Sequence, residues 1–125
     1  MDFDFNDDQQ MLRDTVRRWV EKDYAFERRR SIVREGGFSR SVWSELADLG
    51  LLGLQVPATQ GGMEFGAVDA MVVMEELGRG IVLEPYAQVC LMAVNLLRAG
   101  RSAAADLWLQ GIAQGSELVV RQAVA

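Results

Sequence analysis

The sequence predicts an all-α fold, a bundle of five to six helices, and three observations carry that reading. Apolar residues recur at three- and four-residue intervals in successive segments, which is the period of one face of a helix. Residues that cap helix starts (Asn6, Ser39, Ser102) and glycines that end helices (Gly50, Gly100, Gly115) bracket those segments. No two segments form an evident pair of strands: Leu118-Val119-Val120 has strand propensity but nothing to pair with. Short connections then leave helix-on-helix packing as the architecture.

Asn6 and Gln9 stand at the spacing of a capping box, with Phe5 as a hydrophobic staple, so the first helix should begin near Asp7. Leu12, Val16, Trp19 and Val20 form its inner stripe, with Arg13, Asp14 and Arg17 turned elsewhere. Tyr24, Phe26, Ile32 and Val33 are spaced for a second helix, closed by Gly36-Gly37. Ser39 opens a third, which buries Val42, Trp43, Leu46 and Leu49 and stops at Gly50. Leu51 to Pro57 is apolar, interrupted by Gly53 and closed by proline, and reads as a buried extended connection into the loop Thr59-Gln60-Gly61-Gly62. Helical spacing returns from Ala67 to Leu77 through Met71, Val72, Met74 and Leu77, with Asp69, Glu75 and Glu76 on the wetter side and Gly78 and Gly80 at the end.

Glu84-Pro85 suits the entry of a further helix, since the missing N–H of proline costs nothing in a first turn. That helix continues through Val89, Leu91, Met92, Leu96 and Leu97 to Gly100. Only Glu84 and Arg98 carry charge between residues 84 and 99, so it should be buried on most sides, within the domain or against a partner. Ser102 caps a last helix through Leu107, Trp108 and Ile112.

Half of the 125 residues are apolar and a quarter are charged, the balance of a single domain with a single core. A formal net charge of -5 opposes general affinity for nucleic acid. Arg28, Arg29, Arg30 and Arg34 are interspersed with Asp23, Glu27 and Glu35 and read as a solvated mixed-sign surface. With no histidine and a single cysteine, a zinc site and the imidazole-dependent nucleophile schemes are excluded. Cys90, among Val89, Leu91 and Met92, reads as a small buried hydrophobe, and no internal disulfide is possible. The apolar runs are far shorter than the ~20 residues of a membrane span, and the start lacks the pattern of a secretory signal. A cytoplasmic protein without a membrane partner is the expectation.

Three segments, taken in order, resemble the N-terminal domain of the acyl-CoA dehydrogenase family: FNDDQQMLRDTV (Phe5 to Val16), WSELADLGLLGLQVP (Trp43 to Pro57) with Gly61-Gly62, and MEELGR (Met74 to Arg79). The segment LWLQGIAQGSE (Leu107 to Glu117) is similar to that family's closing pattern. The start MDFDF, YAFERRRSIV and LEPYAQV further resemble the small subunits of pimeloyl-CoA dehydrogenases, a dicarboxyl-CoA branch. The resemblance implies an N-terminal helical domain over residues 1–125, without the family's flavin-binding β-domain and C-terminal helical domain. It implies a FAD-dependent oxidoreductase, in which a proton leaves the carbon beside the thioester carbonyl and a hydride passes from the next carbon to flavin. The substrate it implies is an acyl-CoA, dicarboxylic in that branch, and the assembly a homo- or hetero-oligomer.

No residue here matches the family's flavin contacts or its catalytic base. Glu75, Glu76 and Glu84 read instead as a solvated helix face or a helix-start carboxylate favoured by the dipole. What the resemblance implies for this domain is one wall of the acyl pocket, mostly from the helix between about Pro85 and Leu97. Tyr86, Val89, Cys90 and Ala93 share one side of that helix and are the candidate acyl contacts, with ordinary bundle core as the alternative. Gly61-Gly62 implies loop packing and is too short for a phosphate cradle. Alone, the chain is expected to be inactive and to bind no FAD. The rival expectation is a helical interaction module that docks on a longer dehydrogenase subunit or on its own copy.

Overall fold

At the chain start the Asn6 side chain accepts from the Gln9 N–H (2.8 Å) while the Gln9 side chain accepts from the Asn6 N–H (3.1 Å), so the predicted capping box is present. It opens α1 (Asp7–Asp23) in a computed structural model that describes residues 5–116. The other helices are α2 (Phe26–Arg34), α3 (Arg40–Asp48), α4 (Ala67–Arg79), α5 (Val94–Gly100) and α6 (Ala103–Gln114). Among the described residues there is no strand, and the all-α class holds. Leu118-Val119-Val120 lies outside them. Two compact units emerge, one running to Phe38 and resuming over Ala67–Leu83, the other made of Ser39–Gly66 and the chain from Glu84.

The first unit packs α1 against α4. Leu12, Val16 and Trp19 face inward from α1, and Ala70, Val72, Val73 and Leu77 from α4. Glu76 lies on that inner face as well, only 2% exposed. A buried carboxylate must be paired, and Arg17 supplies two hydrogen bonds (2.9 and 3.2 Å) and Arg13 a third (3.3 Å). Glu76 is therefore not on the wetter side of α4, and Arg13 and Arg17 are not idle surface. Met71, expected inside, is exposed, because Val73 fills the inward position. Phe26 and Val33 of α2 are likewise exposed, leaving Ile32 as its buried residue.

Two members of the arginine cluster are committed to helix ends instead of solvent. Arg28 donates to the Asp23 carbonyl (2.8 Å) at the end of α1, and Arg29 to the Gly80 carbonyl (2.9 Å) just past α4. Both satisfy carbonyls that a helix leaves without partners. Tyr24 falls outside α2: it caps α1, its ring 5.3 Å from that of Trp19, and its hydroxyl accepts from the Leu83 N–H (3.1 Å).

In the second unit, Ser39 accepts from the Val42 N–H (3.3 Å) to start α3, which buries Val42, Trp43 and Leu46. Leu51, Leu52, Leu54 and Val56 are fully buried, as the sequence requires, but the segment is turned and not extended: Leu54 donates to Leu51 (3.3 Å) and Val56 to Gly53 (3.2 Å). An extended chain would send alternate side chains outward, and turns let adjacent leucines both reach the core. A single 3-10 turn, Ala58–Gln60, follows. The chain then doubles back, with Met63 donating to Gly53 (2.9 Å) and Phe65 to Leu54 (2.8 Å). Gly62 lies so near this seam that a Cβ would run into the Val56 carbonyl, so only glycine fits.

Ser102 starts α6 by accepting from the Ala105 N–H (3.0 Å), and Gly115, with φ of 78°, ends it. The inward stripe of α6 is Ala105, Leu109 and Ile112, spaced by four and three, while the bulkier Leu107 and Trp108 are exposed.

Candidate functional site

The helix carrying the four candidate residues is entered at Pro85, whose carbonyl accepts from the Val89 N–H (3.2 Å). Glu84 before it is buried, and its carboxylate accepts from the Ser39 N–H (3.0 Å), tying two segments of the second unit together. Tyr86 is anchored too: its hydroxyl donates to the Leu51 carbonyl (2.7 Å). From Ala87 to Ala93 the helix is π-helical, and the Val94 N–H reaches the Val89 carbonyl five residues back as well as that of Leu91. Regular α geometry resumes as α5.

This wide turn decides which side chains face inward. A π turn holds more residues than an α turn, so the inward position that α spacing gives to Ala93 passes to Val94. Val94 is fully buried and Ala93 half-buried. Tyr86, Val89 and Cys90 are sealed in the core of the chain. Burial pushes the Cys90 thiol above its ordinary value, and burial, with Cys90 beside it, raises the Tyr86 hydroxyl well above its own. Neither group is a nucleophile or an acid near neutral pH. The opposite side of the helix is open, with Met92 63% and Leu96 74% exposed, so the helix is not buried on most sides within this chain.

Polar residues beside this stripe hold the helix to the buried loop. Asn95 donates through Nδ2 to Gln55 Oε1 (2.8 Å) and to the Leu91 carbonyl (2.6 Å), and Arg98 donates to the Gln55 carbonyl (2.9 Å). Val94, Asn95 and Gln55 were not singled out from sequence. The available signal was Asn95 itself, a weak helix former in an apolar run. Arg98 also lines an open cleft of about 330 Å3 with Pro57, Gln60, Arg101, Asp106 and Leu109. Two guanidinium groups and a carboxylate at its edge do not suit isoalloxazine, a flat ring that asks for a mostly apolar slot. These residues do not fit a flavin.

Of the three carboxylates that invite a catalytic reading, Glu75 is exposed and pairs with Arg79 (3.4 Å), while Glu76 and Glu84 are buried in structural ties. Burial alone would push the Glu76 carboxyl up, yet its hydrogen bond and charge contact with Arg17, aided by Arg13 and Arg79, bring it below its ordinary value. It is a fixed anion and not a poised base. Among the described residues no cluster could hold a metal ion, and no helix is long and apolar enough to cross a membrane.

Residues 6–116 match the family described as acyl-CoA dehydrogenase, N-terminal domain. The chain is 31% identical over 115 residues to acyl-CoA dehydrogenase IpdE2 of Mycolicibacterium smegmatis, covering 90% of this chain and 36% of that protein. It is 30% identical over 115 residues to mitochondrial isovaleryl-CoA dehydrogenase of Pongo abelii, covering 88% of this chain and 27% of the relative. Among solved structures, a Tcur3481-Tcur3483 steroid ACAD variant superposes with a TM-score of 0.77 at 27% identity, covering 87% of this chain and 30% of that one. The chain thus spans about a third of the length of the relatives it matches.

Proposed function

The chain belongs to the acyl-CoA dehydrogenase family through its N-terminal domain, and on that premise we propose that it supplies one wall of an acyl pocket whose chemistry is performed elsewhere. The observation that carries this reading is the family match over residues 6–116 in a chain whose described residues offer an open helix face. In the proposed role, Ala93 is the candidate within direct reach of an acyl chain, flanked by Met92 and Leu96, while Tyr86, Val89 and Cys90 form the rigid layer behind it. Packing that layer without voids holds the wall in one position.

FAD, when bound by the remainder of such an enzyme, supplies the hydride acceptor. The residues of this chain contribute shape and exclude water, and they move no proton. The segments MDFDF, YAFERRRSIV and LEPYAQV favour a dicarboxylic acyl-CoA such as pimeloyl-CoA. The net charge of -5 supports a role without nucleic acid, and the single buried cysteine suits a cytoplasmic setting. A second reading rests on Met92, Leu96, Leu107 and Trp108, all exposed in the second unit: an interaction module that docks on a longer dehydrogenase subunit or on a second copy.

The purified chain, mixed with pimeloyl-CoA, FAD and an artificial electron acceptor, tests the division of labour. No acceptor reduction is expected; reduction above the protein-free blank would overturn it.

A further inference from the structure

The seven π-helical residues Ala87–Ala93 are held by partners outside their own turn. At the junction with α5 the Leu91 carbonyl accepts both the Val94 N–H and the Asn95 side chain, the latter at 2.6 Å. The same Asn95 amide reaches Gln55 Oε1 (2.8 Å), and one turn later Arg98 reaches the Gln55 carbonyl (2.9 Å). Gln55 is itself nearly buried, in a loop whose neighbours Leu54 and Val56 are fully buried. A side chain that donates to the carbonyl four residues back intrudes on the regular α ladder there, and a tertiary acceptor holds it in that place.

We infer that Asn95, fixed by Gln55, is a positioning residue that locks this helix in its π register and thereby keeps Ala93 half-open beside Met92 and Leu96, with Val94 in the core. This rests on the proposed acyl wall, since the register decides which side chains that wall presents. Without the lock the helix relaxes to α spacing, which turns Ala93 to the middle of the inner face and moves Val94, four residues from Cys90, to its edge. Arg98 restrains the helix end but leaves the junction carbonyl to Asn95.

Thiol accessibility reads the register with or without an acyl partner. In a Cys90→Ala background, Ala93→Cys and Val94→Cys each place a single thiol. Under native conditions an aromatic disulfide reagent is expected to label position 93 at least tenfold faster than position 94. Adding Asn95→Ala should slow labelling at position 93 and speed it at position 94, with circular dichroism unchanged in helix content. Unchanged rates in the folded variant, or acceleration at both positions, would overturn the assignment, because general loosening slows neither position. Should Asn95→Ala fail to fold, Gln55→Met removes the Oε1 acceptor with the rest of the amide while keeping the side-chain length: the ratio should fall at least threefold, and an unchanged ratio counts against the lock. A failed register test leaves the acyl wall standing, and failure of the wall leaves the thiol order intact.

Discussion

Glu76 holds α1 to α4 by charge, so its protonation state governs how firmly the first unit stands. Its carboxyl sits below the ordinary value of 4.5 in the folded chain. A depressed carboxylate contributes stability that is fully present above 4.5 and is lost as pH falls through the lower folded value. Urea midpoints should therefore drop in that acid range for the wild type and stay flatter for Glu76→Gln, which at pH 7 should cost about 1–3 kcal/mol. Equal pH slopes in the two proteins would remove Glu76 from the account. Tyr86→Phe deletes the donor to the Leu51 carbonyl while keeping the ring, and should cost about 1–2 kcal/mol, read as a shifted midpoint at constant m-value. Sequence could not reveal either tie: the partners lie 59 and 35 residues apart, and periodicity registers only neighbours along one helix.

Helix ends were legible because their chemistry is local. Asn6 with Gln9, Ser39 with Val42 and Ser102 with Ala105 all bond over three residues, a distance that sequence displays directly. Asn6→Ala should cost about 1 kcal/mol and fray the first turn of α1, seen as faster amide exchange there alone. Gly62→Ala should cost about 2 kcal/mol or more, because the atom its Cβ meets is backbone and cannot rotate away. A neutral Gly62→Ala would mean that the 53–56 seam is looser than described. The π stretch was not legible, since it depends on a clasp between Gln55 and Asn95, 40 residues apart. Its consequence is specific: α spacing chose Ala93 for the inner face, and the wide turn gave that place to Val94.

At the scale of the molecule, the fold class and four of the six helix starts, those of α1, α3, α4 and α6, follow from period and caps, while the outward faces do not. Leu96, Leu107 and Trp108 lie on predicted helices, and all three are exposed in the second unit. If a second copy covers them, light scattering after size exclusion should give a mass above the monomer at high concentration, and Leu96→Lys with Leu107→Lys should restore the monomer. A monomer throughout would disfavour self-association. The acyl wall is tested most directly by a chimera in which residues 6–116 replace the matching segment of isovaleryl-CoA dehydrogenase, loaded with flavin. In that chimera, Ala93→Phe should lower kcat/KM for a long acyl-CoA at least tenfold more than for a short one. A folded, flavin-loaded chimera whose acyl preference ignores Ala93→Phe would contradict the account.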